Sequence, residues 1–327
     1  MKSNHNALVK TVRESNLELL RIVAILMVIT LHYLNANIGG GLKGVEYGSI
    51  NYYLMYFVES MCIVAVNLFV LISAYFLSEK KQVKFIKVIS LLFLAWFYGG
   101  TLYILSVIIG ENQFNFKEMV LSINPFLMYG YWYIKTYIIL FVISPYLNIV
   151  HNNLSKKQHI NLILILGFFF CLWPSFIPGA PNSDGGYGII TFCLLYFIGS
   201  YLRKYDLPKK IVKDSVWIYV CCVIVVFLFA VYGSEIKWNY NFIFNVVGAI
   251  GLFIRFRTIK IKAVWINKLA SLSFAIYILH FNPSLVDFIY QKLLKCNQYY
   301  NSKYLIVHLF TSVVIIYMTC AIIECIR

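Results

Sequence analysis

The sequence predicts an all-α integral membrane protein with about ten transmembrane helices and both termini in the cytoplasm. Three observations lead there. Hydrophobic residues make up 61% of the 327 and charged residues only 13%, too few to cover a water-soluble fold of this size. The apolar residues come in runs close to the roughly 20 that cross a bilayer core. Lys and Arg gather in alternate connections between those runs, which fixes an orientation.

The expected spans are 17–36, 50–77, 85–109, 132–150, 160–178, 188–201, 215–233, 239–255, 264–281 and 304–326. The first is apolar in its middle and polar at both ends, and the second carries Glu59 within it. The third follows the basic stretch EKKQVK. The fourth is preceded by SINPFLMYGYWY, where Pro125 and Gly130 beside aromatic residues suit a short re-entrant piece near an interface. The sixth is short and flanked by glycine, so it reads as tilted or incomplete. Internal repeats and low-complexity segments are absent, and residues 1–327 read as one membrane domain. The first run is not a signal peptide: Arg21 and His32 interrupt or flank it, and no A-x-A cleavage site follows.

Net charge is +15. Counted from a cytoplasmic N-terminus, with Lys2, Lys10 and Arg13 on the inner side, inner connections hold about three times as many basic residues as outer ones. That is a topological signal, and nucleic acid is excluded as a partner. Seven of the eight cysteines lie in apolar runs, where Cys behaves as a small hydrophobe. Cys296 sits in a polar connection, and no spacing suits zinc or a disulfide framework. Membrane lipids are the expected surroundings.

The polar residues of the first span share a face. At about 100° per residue, Glu18, Arg21, His32 and Asn35 fall within an arc of roughly 100°. Arg21 and His32 stand about 16 Å apart along the axis, so the stripe runs nearly the depth of the bilayer. Ionisable groups on one face of a span mark a bundle interior or a polar pathway. Ser273, Tyr277 and His280 share a face of the ninth span, with His280 near the outer end. Glu59 and Ser73 lie on one side of the second.

These stretches resemble acyltransferase family 3, integral-membrane acyltransferases, many of which O-acetylate surface polysaccharides. The first span is similar to the family's D-x-L-R-G-x-A...V...H signature, with Glu18, Leu20, Arg21, Ala24, Val28 and His32. Glu18 replaces the usual Asp, and Ile22 the usual Gly. VNLFVLISAYFLS resembles the second-helix block and matches it at Ser73 and Tyr75. YWYIKTYIILFVISPYLN matches a later block at Trp132, Tyr137 and Pro145, and SLSFAIYILHFNP another at Ser271, Ser273, Tyr277, Leu279 and His280. Where the family often has R-x-x-R, this chain has Lys84 and Lys87. Lysine neutralises phosphate but lacks the bidentate fork of arginine.

The resemblance implies transfer of an acyl group, most often acetyl, from acetyl-CoA to a hydroxyl. Such a transfer needs a base for the hydroxyl proton, donors for the oxyanion and cations for the phosphates of coenzyme A. Histidine titrates near neutrality, so His32 is the expected base. Arg21, held by Glu18, is assigned to the donor or its charge network, and Lys84 and Lys87 to the donor phosphates. Glu59, Ser73, Tyr75, Trp132, Tyr277 and His280 are expected at the acceptor or behind the base. Glu59 would either orient His32 or bind a sugar hydroxyl. No metal and no permanently bound cofactor is expected. The expected partners are acyl-CoA, a glycan acceptor and glycan-assembly proteins, and the expected place is the cell membrane. The competing reading is a polysaccharide export or translocation component that uses the same helix face as a path.

Overall fold

The computed structural model describes residues 14–124, 126–127, 131–180 and 184–327. Lys2, Lys10, Arg13, Pro125 and Gly130 lie outside the described residues. Ten main helices follow in chain order: α1 (Ser15–Leu34), α2 (Ile50–Leu77), α3 (Phe85–Ile108), α4 (Trp132–Asn153), α5 (Lys156–Phe176), α6 (Ile189–Lys204), α7 (Lys209–Val231), α8 (Ile243–Thr258), α9 (Val264–His280) and α10 (Leu305–Ile326). Among the described residues there is no strand. Among the described residues eight helical segments are long and apolar enough to cross a membrane, the seventh of them α8 together with the turn before it, Ile236–Thr258. The other two, α6 and α9, sit where the sequence places its sixth and ninth spans. The 16 residues of α6 are fewer than the roughly 20 of a typical crossing.

Local irregularities interrupt several of these helices. A turn at Ile63 and Val64 divides α2 one helical turn beyond Glu59. A capping box, Ser155 with Gln158, opens α5. Further along α5 a π-helical stretch, Phe168–Leu172, precedes Pro174, whose missing N–H leaves the preceding turn free to widen. Leu272 divides α9.

α1 is the centre of the molecule. It packs against α2, α8, α9 and α10, so its polar stripe faces protein and not lipid. Its start is pinned to the α8–α9 connection. Asn16 Nδ2 donates to the carbonyls of Phe256 and Arg257, both at 3.1 Å, which satisfies the end of α8. The amide of Ala263 donates to Ser15 Oγ at 3.1 Å. At the other end the chain turns back sharply, and the amide of Gly39 donates to the His32 carbonyl at 2.8 Å. A Cβ on Gly39 would run into the carbonyl of Tyr33, so only glycine lets the chain pass so close.

α6 approaches α2 closely, and a Cβ on Gly199 would lie 2.6 Å from Cβ of Ala74. By contrast α3 and α5 turn large apolar side chains outward, among them Phe93, Trp96, Leu164 and Phe168. They are the lipid-facing periphery expected of a membrane bundle. Cys296 lies buried beside Tyr33 and not in open solvent. Burial pushes its thiol up to about 12, so it is an inert packing group.

Candidate active site

A cavity of about 560 Å³ opens inside the bundle, bounded by α1, α2, α3, α4 and α9 and by the connections before α6 and α8. Pockets that hold small ligands run to roughly 300–1,000 Å³. α1 contributes Arg21, His32 and Asn35, three of its four stripe residues. The fourth, Glu18, lies behind Arg21: it is buried, and its Oε2 accepts from Arg21 at 2.7 Å. That ion pair occupies one of the five guanidinium N–H donors and fixes the side chain's direction.

His32 stands towards the other end, in the last turn of α1. Its Nδ1 is 2.8 Å from Nε2 of His280, and Nδ1 of His280 is 2.6 Å from the carbonyl of Ile276. The protons in this series follow from elementary bonding. A carbonyl can only accept, so Nδ1 of His280 carries the proton. In a neutral imidazole the other nitrogen then accepts, so His32 Nδ1 must donate to His280 Nε2. His32 is left with a lone pair on Nε2. The ring of Phe281 stacks on that of His32, with centroids 4.2 Å apart, and holds its plane.

The remaining sequence candidates divide cleanly. Glu59, Ser73, Trp132 and Tyr277 line the cavity. His280 is fully buried directly behind His32, the position that the sequence left open to Glu59. Tyr75 does not reach the cavity. It lies two residues beyond Ser73, hence about 200° round the helix. It packs on Phe253, under the guanidinium of Arg203, which is 4.6 Å from its ring centroid. Lys84 and Lys87 are exposed at the start of α3, and among the described residues neither lines the cavity. One turn further on, Leu91 does. Neighbouring Lys80 is held below the ordinary lysine range by partial burial and by the ammonium groups of Lys87 and Lys84. These lysines therefore form one cationic cluster, about one helical turn before α3 reaches the cavity at Leu91.

Sequence reasoning missed part of the wall. Tyr56, Tyr187, Trp238 and Tyr240 line the cavity as well, with Tyr187 and Tyr240 packed against Trp132. Tyr187 and Tyr240 come from short connections, SDGGYG and KWNYN, where aromatics beside glycine and asparagine were the available signal. Backbone bonds lock the two connections together. The amide of Tyr240 donates to the Gly185 carbonyl at 2.8 Å, and Asn67 Nδ2 donates to the Tyr240 carbonyl at 2.9 Å. Tyr131, adjacent to Trp132, is buried and donates to the Ile278 carbonyl at 2.8 Å, which ties α4 to the His280 turn.

Fold and cavity together define the class, a multi-pass membrane protein with a ligand-sized polar and aromatic chamber between its helices. A family model described as an acyltransferase domain, that of acyltransferase family 3, matches residues 14–324. The chain belongs to that family and is a membrane acyltransferase. No curated protein and no solved structure gives a match.

Proposed function

We propose that this protein transfers an acetyl group from cytoplasmic acetyl-CoA to a hydroxyl of a cell-surface polysaccharide or its lipid-linked precursor, with His32 as general base. The observation that carries this reading is the hydrogen-bonded series from the Ile276 carbonyl through His280 to His32, on the wall of a cavity with Arg21 at its other end.

The chemistry follows from the proton positions. The acceptor hydroxyl gives its proton to His32 Nε2 as its oxygen attacks the thioester carbonyl. The imidazolium that forms still donates from Nδ1 to His280, whose own Nδ1–H remains on the Ile276 carbonyl. The series thus holds one ring orientation through the cycle, as the third member of a catalytic triad does. Collapse of the tetrahedral intermediate breaks the carbon–sulfur bond, and His32 Nε2–H protonates the leaving thiolate. Arg21 has N–H donors beyond the one bound to Glu18, suited to the donor's polar arm. The phosphates of the donor meet the cluster of Lys80, Lys84 and Lys87. The acceptor then occupies the His32 end.

We assign ten crossings of the cell membrane, with α6 and α9 as the two short ones and both termini cytoplasmic. The Lys and Arg distribution supports this orientation. It puts Arg21 and the lysine cluster on the side where acyl-CoA is found, and His32 near the outer face.

The test is label transfer from radioactive acetyl-CoA to a purified envelope glycan by the purified protein, without a sealed compartment. His32→Ala is expected to lower the rate by about 10²–10⁴-fold. Undiminished transfer by a folded His32→Ala protein overturns the assignment. Glycan movement across vesicles without label transfer favours export instead.

A further inference from the structure

Glu59 is the one carboxyl among the described residues on the cavity wall, and the chemistry above makes no use of it. It is 5% exposed, and its Oε2 is fully buried with no hydrogen-bond partner. A buried polar oxygen left unpaired costs about 1–3 kcal/mol, more if charged. In a membrane bundle such a group is retained for a ligand or a pathway. Its surroundings indicate which. The carboxyl interacts electrostatically with the phenols of Tyr187 and Tyr240. Those two rings and Trp132 form a compact trio: Tyr187–Tyr240 at 5.0 Å, Trp132–Tyr240 at 5.3 Å and Trp132–Tyr187 at 4.5 Å between centroids. Trp132 and Tyr240 are inclined by 31° and Tyr187 stands edge-on to both, so the three rings pack into one aromatic cluster on the cavity wall. All four side chains line the cavity that His32 lines.

We propose that Glu59 with Trp132, Tyr187 and Tyr240 forms the acceptor subsite for a pyranose ring. The carboxyl accepts hydrogen bonds from ring hydroxyls while the aromatic face covers the sugar's C–H surface. The inference rests on the acyl-transfer reading and names the part of the cavity that selects the acceptor. A pyranose offers both halves of the match, an apolar face and hydroxyl donors at its edge. Tyr and Trp are suited to it because each joins apolar area to a polar tip. A sugar hydroxyl bonded to the Glu59 carboxyl gives this buried group the partner it lacks, and a hydroxyl not engaged by Glu59 is then the one free to approach His32. Glu59 therefore acts on which hydroxyl is acylated.

The experiment reads binding separately from transfer. Trp132 and Trp238 lie on the cavity wall, so tryptophan fluorescence of the full-length protein in nanodiscs reports occupancy. The probes are methyl α- and β-D-glucopyranoside, galactopyranoside and N-acetylglucosaminide, with tetramethylammonium chloride as the cationic competitor. Saturable quenching by at least one pyranoside is expected, with affinity reduced about tenfold or more by Glu59→Gln. Trp132→Phe is expected to remove most of the signal. Should Glu59→Gln fail to fold, Tyr187→Leu carries the test, because Tyr187 is 44% exposed at the end of a connection. It is expected to weaken the same sugar about tenfold. Equal pyranoside affinity in wild type and a folded Glu59→Gln protein overturns the subsite. So does saturation by tetramethylammonium with no response to any pyranoside, which would make the trio a cation cage. Pyranoside binding that depends on Glu59, in a protein that never transfers label from acetyl-CoA, leaves the subsite standing and removes the acyltransferase reading instead.

Discussion

His280 has no role as an acid or base in the proton arithmetic at His32; its Nδ1 proton is committed to the Ile276 carbonyl throughout. In the proposed transfer it is a positioning residue. Its loss leaves His32 Nδ1 without an acceptor, so the ring can turn or take the other tautomer. His280→Ala is expected to lower kcat by about 10–100-fold, in line with other partners of a functional histidine, with the donor KM little changed. His280→Gln, whose amide oxygen can accept from His32 Nδ1, should restore part of the rate. A purely packing role for His280 predicts the opposite order, with Ala and Gln equally poor and both proteins less heat-stable. Steady-state kinetics with melting curves in detergent separates the two. Spacing alone placed Arg21 and His32 on one face of α1. Their partners were only half legible. Glu18 is local, three residues from Arg21, so helix geometry names it. His280 is 248 positions from His32. Nothing in periodicity can pair two such residues.

At the level of elements, the end of α2 and the start of α3 carry the lysines that stand where the family often has arginines. Lys84 and Lys87 lie outside the cavity, which removes them from the transfer point and leaves them at its approach. Like charges crowd here: Lys80 is pulled down by partial burial and by its two neighbours, so the cation is favoured less than in water. A phosphate arriving from the donor relieves that repulsion. The double variant Lys84→Gln/Lys87→Gln is therefore expected to raise the acetyl-CoA KM about 5–20-fold with kcat within about twofold. The difference should shrink in high salt, as exposed charges are screened. A donor KM equal to that of wild type at low salt would reduce the pair to topological anchors. The expected spans agree with the helices along most of the chain because a continuous apolar run is a local property. The breaks at Ile63, Leu272 and the π-helical stretch of α5 were not visible beforehand. They depend on how each helix meets its neighbours.

Across the whole molecule, the orientation is a prediction about sides. Tyr47 is 82% exposed in the connection after the His32 end of α1. The Asp206 side chain is fully exposed in the connection between α6 and α7. With native exposed cysteines replaced, Tyr47→Cys is expected to react with an impermeant maleimide in intact cells. Asp206→Cys should react only after permeabilisation. Labelling of both from one side would remove the ten-crossing arrangement and the placement of donor and acceptor that depends on it.

Composition and apolar run length determined that this chain is a helical membrane protein, and basic-residue placement gives it an expected orientation. The spacing on α1, with three later blocks, pointed to the acyltransferase family. These properties are local or summed along the chain, so order in sequence is enough to read them. Only the tertiary structure decided that His280 backs His32, that Tyr75 faces away, and that Tyr187 and Tyr240 join Trp132 and Glu59 around one chamber. Each of those depends on which faces of distant helices meet. That is settled by packing such as α6 on α2 at Gly199, and by backbone bonds between connections far apart in sequence.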